Sequence, residues 1–145
     1  MHVNPSDDQL RTILASAKTI AMVGASANPD KPSHGIMKQL LAAGYRVIPV
    51  NPKDDEVLGV KAVASLADIH EPVDIVDVFR RAEDTPPIAD EAAAIGAKTL
   101  WLQLGISNEE TARRAEAHGL VLIMDKCIGA THRALHIPAR SPLNP

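Results

Sequence analysis

Short, mainly apolar blocks punctuate this chain: Ile20–Val23, Tyr45–Val50, Val73–Phe79, Thr99–Gln103 and Leu120–Met124. Each is too short for a helix and shows no in-out alternation, which predicts strands covered on both faces, as in a parallel sheet. Asp74 and Asp77 interrupt the third block, so they are expected near its ends or beside hydrogen-bond donors. Gly59–Ala64 is a candidate for one additional short strand.

Helical spacing fills the intervals. Ser6 is placed to cap a helix over Asp7–Ser16, with Leu10, Ile13 and Leu14 on one stripe. Ser33 is expected to cap a second over His34–Ala43, closed by Gly44, and Ser65 a helical turn reaching Ile69. Thr85–Ile95 carries Pro86 and Pro87 in its first turn, where a missing N–H costs little. Ser107 or Asn108 caps the next helix, which starts with Glu109 and Glu110 and ends at Gly119. Ile128–Leu135 predicts a short helix, and Pro138, Pro142 and Pro145 a non-helical tail.

This rhythm predicts an α/β, three-layer, Rossmann-like fold with a mainly parallel sheet of about five strands. One domain over residues 1–145 is expected, with a core at about 18–135, an N-terminal helix at about 7–16 and a proline-rich tail at about 137–145. In such a sheet Gly24–Ser26, Asn51–Lys53, Phe79–Arg81, Gln103–Gly105 and Asp125–Cys127 all follow strands. They should therefore line one edge, where ligands of open α/β sheets bind.

The first strand–helix–strand unit points to a phosphorylated nucleotide. Gly24-Ala25-Ser26 offers a nearly side-chain-free turn with a hydroxyl donor, and the following helix start carries unpaired N–H groups suited to a pyrophosphate. The Gly-x-Gly-x-x-Gly fingerprint is absent because Ser26 stands at its second glycine, and the second strand ends in Asn51-Pro52-Lys53 where an NAD site has a carboxylate. NAD is disfavoured. Lys53 suits a ribose phosphate, as in NADP or coenzyme A, or is simply a solvated charge beyond a turn. Lys31 and Arg80 are further candidates for phosphate contact, with pairing of Arg80 to Asp77 as the structural alternative.

Several motifs in order sharpen this reading: Val23-Gly24-Ala25-Ser26, Lys31-Pro32-Ser33, Gly44-Tyr45-Arg46-Val47, Val50-Asn51-Pro52, the run from Val73 to Arg81, that from Gly96 to Gly105, and Met124-Asp125-Lys126-Cys127-Ile128. Together they resemble the small stand-alone coenzyme A-binding proteins related to the CoA-binding domain of the succinyl-CoA synthetase α subunit. The resemblance covers about Lys18 to Leu135. One departure is Ala130-Thr131-His132-Arg133, since family members often place an acidic residue just before the His-Arg pair.

The resemblance implies coenzyme A as ligand, with Gly24, Ala25, Ser26, Ser33 and His34 at the pyrophosphate. It further implies Asn51, Pro52 and Lys53 beside the adenosine and its phosphates, Phe79 and Arg80 flanking the ligand, and Gln103, Leu104 and Gly105 toward the pantetheine. The expected role is a carrier, sensor or regulatory module for coenzyme A or an acyl-CoA. An NADP-binding redox or regulatory protein and an acyl-CoA thioesterase or transferase are the alternatives. No catalytic constellation is identified, because cap and turn roles already account for Ser26 and Ser33 and no acid orients His34.

Composition narrows the partners. With 46% hydrophobic but only 2% aromatic residues and a net charge of −3, the chain lacks the stacking platforms and basic face of a nucleic-acid binder. A local cationic pocket is compatible with that charge, because screening confines such fields to roughly 8–10 Å. No apolar run is long enough to cross a bilayer, and the single Cys127 cannot form an intramolecular disulfide, so a cytoplasmic setting is expected. Cys127 reads as a small buried hydrophobe, or as a thiol able to meet that of coenzyme A. His132 and His136 share helical spacing but lack a third ligand, so no metal site is expected. Exposed helix faces leave a homodimer open.

Overall fold

The computed structural model describes residues 2–139. Five parallel strands form the sheet: β1 (Thr19–Val23), β2 (Arg46–Val50), β5 (Ile75–Val78), β6 (Thr99–Leu102) and β7 (Val121–Ile123), in the order β2-β1-β5-β6-β7. The helices are α1 (Asp7–Ser16), α2 (Pro32–Ala42), α3 (Pro86–Ala94), α4 (Glu109–Ala117) and α5 (Ile128–Ala134). Strand order reverses between β1 and β5, which creates the topological switch point at which such sheets open a crevice.

Alternate strand residues enter two separate cores, which explains why the strands read as mainly apolar runs. Ala21, Val76, Val78, Leu100, Leu102 and Leu122 pack on one face with Ile88, Ala89 and Ala92 of α3 and Ala115 of α4. Ile20, Met22, Ile75, Trp101 and Ile123 pack on the other with Leu10 and Leu14 of α1, Met37 and Leu40 of α2 and Ile128 of α5. Trp101 is wholly buried, and its Nε1–H finds the Lys126 carbonyl at 2.9 Å, as a buried indole requires.

Several local expectations hold. Ser6 and Gln9 form a reciprocal capping box on α1, Asn108 caps α4 through the Thr111 N–H, and the two prolines occupy the first turn of α3. Ser65 stands at the N-cap position of a 3-10 turn at Leu66–Asp68, where its N–H and hydroxyl both donate to the Asp68 carboxylate at 3.2 Å.

Others need correction. Ser33 does not cap α2: the helix starts two residues earlier, with Pro32, Lys31 occupies the cap position without a side-chain bond, and Ser33 lies buried in the first turn. Proline's fixed φ favours the first helical position, so it displaced the boundary. The Gly59–Ala64 strand is shorter than expected. Val60–Lys61 (β4) pairs antiparallel with Glu56–Val57 (β3) as a small separate hairpin, and only Val63 bridges to Val50. Of the tail, Pro138 is non-helical, while Pro142 and Pro145 lie outside the described residues.

The two aspartates of the third strand part company. Asp74 accepts hydrogen bonds from the N–H groups of Lys18 and Thr19, at 2.8 and 3.0 Å, tying β1 to the start of β5. Burial alone would raise its carboxyl; these donors and nearby Lys98 outweigh that and hold it below the ordinary range. Asp77 instead sits mid-strand in register with Met22 and Trp101, wholly buried, with neither oxygen hydrogen-bonded. Burial pushes its carboxyl well above the usual carboxylate range, so folding favours the neutral acid.

Candidate functional site

At the carboxyl ends of β2, β1 and β5 lies a cleft of about 420 Å³, lined by Gly24, Ala25, Ser26, Lys31, Pro32, Ser33, Asn51, Pro52, Lys53, Phe79 and Arg80. That volume lies within the usual range for small-molecule sites. Three loops far apart in sequence therefore meet at the switch point.

Gly24 is fixed by geometry. Its φ is +88°, and a Cβ there would lie 2.2 Å from the Phe79 carbonyl oxygen, so only glycine lets the turn pass so close to the end of β5. Its N–H donates to the Val50 carbonyl, and that of Phe79 to the Val23 carbonyl. These bonds weld the three strand exits together.

Asn51 acts as the clamp between the first two exits. Its side-chain amide donates to the Ala25 carbonyl at 2.6 Å, while its Oδ1 accepts from the N–H groups of Lys53 and Asp54 at 2.7 and 3.2 Å. Sequence reasoning missed the partner of this clamp. The Asp54 carboxylate accepts from the Ala27 N–H at 3.0 Å and from Asn51 Nδ2 at 3.1 Å, holding the loop after Ser26 against the β2 exit. No motif signals that role, because it depends on two loops separated by the whole of α2.

The electrostatics of the cleft come from Lys31, Lys53 and Arg80. Among the described residues none of the three enters an ion pair, whereas neighbouring Arg81 is engaged by Glu83 and Asp84. The alternative of Arg80 bracing Asp77 is not realised, since Asp77 has no partner. Three unpaired cations around one glycine turn, in a chain of net charge −3, form a focused site for a polyanion.

Four residues singled out from the sequence do not join this cleft. His34 is not among its lining residues. Gln103 is buried, with its Oε1 accepting from the Ile128 N–H at 3.0 Å, so it anchors α5. Leu104 is exposed and lines a different groove, and the Gly105 N–H donates to the Asp125 carboxylate at 2.7 Å. Ser26 Oγ accepts from the Asn28 N–H at 3.0 Å, and neither serine hydroxyl of the cleft bonds to a histidine. Cys127 is a free, half-buried thiol that caps α5. Among the described residues no group of three or more His, Cys, Asp or Glu could hold a metal, and no helix is long and apolar enough to cross a membrane.

The model of the CoA binding domain family matches residues 18–133, from the start of β1 to the end of α5. The chain belongs to that family. The chain is 47% identical to protein YneT of Bacillus subtilis over 129 residues, which cover 89% of this chain and 96% of the relative. A solved hypothetical protein from Pyrococcus horikoshii superposes with a TM-score of 0.88 at 36% identity, covering 94% of this chain and 99% of that one. The ADP-forming acetate–CoA ligase of Methanocaldococcus jannaschii is 26% identical over 130 residues, 84% of this chain but 18% of the ligase. This CoA-binding domain thus corresponds to a small part of that enzyme and to nearly all of the first two proteins.

Proposed function

We propose that the protein binds coenzyme A or an acyl-CoA in the cleft at the β1–β5 switch point, as a carrier, sensor or regulatory module. The observation that carries this reading is the convergence of Lys31, Lys53 and Arg80, all without anionic partners, on the Gly24–Ser26 turn. The turn and the start of α2 receive the pyrophosphate, with Ser33 in the first helical turn. Lys53 receives the ribose 3′-phosphate, and Phe79 packs an apolar face against the ligand. Membership of the family and the likeness to part of the acetate–CoA ligases support the choice of coenzyme A among phosphorylated nucleotides. The ligase reaction is not carried over, because the chain spans 18% of that enzyme. A cytoplasmic, homodimeric protein belongs to the same proposal, to be read by fractionation and sedimentation.

Calorimetry with coenzyme A, dephospho-coenzyme A, NAD and NADP tests the assignment. Coenzyme A is expected to bind most tightly. Tight NADP binding with no heat from coenzyme A would overturn the reading in favour of a nicotinamide nucleotide protein.

A further inference from the structure

A second groove, of about 480 Å³, lies farther along the same sheet edge, beyond the exits of β6 and β7. One wall is Leu104, which is 70% exposed; another is formed by Ala130 and Ala134 of α5 and by Leu135 at its C-terminal end. An exposed leucine alone is ordinary, but here it faces an apolar helix surface across a groove.

The polar groups between those walls are largely taken by internal bonds. The Asp125 carboxylate accepts from Gly105 N–H, the Thr131 hydroxyl donates to the Cys127 carbonyl at 2.8 Å, and Cys127 Sγ accepts from Ala130 N–H at 3.4 Å. Asp7 and Lys126 add charge to the lining, while the apolar stretch formed by Leu104, Ala130, Ala134 and Leu135 suits an aliphatic group.

Distance connects it to the cleft. From β1, where the pyrophosphate is placed, to β7 is three strand steps of about 4.8 Å, or roughly 14 Å. The phosphopantetheine arm extends about 15 Å from phosphorus to sulfur, taking roughly 3.5 Å for every three bonds of an extended chain. An arm laid along the sheet edge crosses the β6 exit and ends at this groove.

We infer that the groove between Leu104 and α5 holds the aliphatic acyl group of an acyl-CoA thioester. The inference rests on coenzyme A occupying the cleft, and it makes the preferred ligand an acyl-CoA rather than the free thiol.

The test is calorimetry on the full chain with coenzyme A and its acetyl, butyryl and hexanoyl thioesters. Affinity is expected to rise about three- to fourfold for each methylene that enters the groove. Ala130→Trp, which fills the groove, and Ala134→Asp, which makes it polar, should each abolish that gain while coenzyme A itself binds within about twofold of wild type. If coenzyme A binds but affinity is independent of acyl length, or the gain survives both substitutions, the groove assignment is overturned and the cleft assignment stands. Absence of binding by coenzyme A and every thioester overturns both.

Discussion

Replacing Asp77 by Asn should make the protein more stable at neutral pH, by an amount that grows with pH. Asp77 lies at the centre of β5 with 0% exposure and no hydrogen-bond partner for either oxygen, so folding favours its protonated form. In the unfolded chain its pKa is about 3.9. Because the folded value is raised, the native state keeps a proton that the unfolded state releases. The stabilisation is fully present below about pH 4 and is lost as pH rises toward the folded value. While the native carboxyl stays protonated, each pH unit removes about 1.4 kcal/mol, a large share of the roughly 5–15 kcal/mol typical of a domain.

Asparagine fills the same space without a titrating proton. It too leaves a buried polar group without a partner, so the two proteins should be of similar stability at about pH 4. Urea unfolding at half-unit steps from about pH 4 to pH 8 gives both curves. The expected result is a gap that opens in favour of Asp77→Asn at up to about 1.4 kcal/mol per unit and levels off above the native pKa. Parallel curves would show that Asp77 is ionised or solvated in the folded protein, and the reasoning would fail.

Gly24→Ala should destabilise the fold by about 3 kcal/mol or more in urea unfolding, combining backbone strain at φ +88° with the 2.2 Å approach to the Phe79 carbonyl oxygen. Lys53→Ala should weaken coenzyme A by about tenfold and dephospho-coenzyme A much less in calorimetry; equal losses would remove Lys53 from the 3′-phosphate. Gln103→Ala leaves the buried Ile128 N–H without its acceptor and should cost about 1–3 kcal/mol, with α5 losing amide-exchange protection first. His132 is buried against Tyr45 with Nε2 lacking a partner, and burial lowers its pKa. Its native state resists protonation, so stability should fall as pH drops below about 6.5, and His132→Phe should flatten that acid limb.

Much of the fold was legible because parallel strands buried on both faces leave continuous apolar runs, and the capping residues Ser6 and Asn108 mark helix starts by local chemistry. The cleft was legible for a related reason. Strand exits share one edge of a parallel sheet, so Gly24, Asn51, Lys53, Phe79 and Arg80 could be grouped before any contact was known. Ser33 misled because two start signals, a capping serine and a first-turn proline, stood side by side at positions 32 and 33. Gln103 lies at the correct edge, but its side chain points toward α5, and side-chain direction at a strand exit depends on the local pleat and on which helix covers it.

Sequence alone thus determined the strand–helix alternation, the glycine turn and the family to which the chain belongs, all of which rest on residues near one another in the chain. The tertiary structure decided which cations stay unpaired, that Asp54 and Asn51 clamp two loops, that Asp77 is stranded without a donor, and that Leu104 faces α5 across a groove. Those properties depend on distances between segments far apart in sequence and on the exclusion of water, and both exist only once the sheet and its helices have packed.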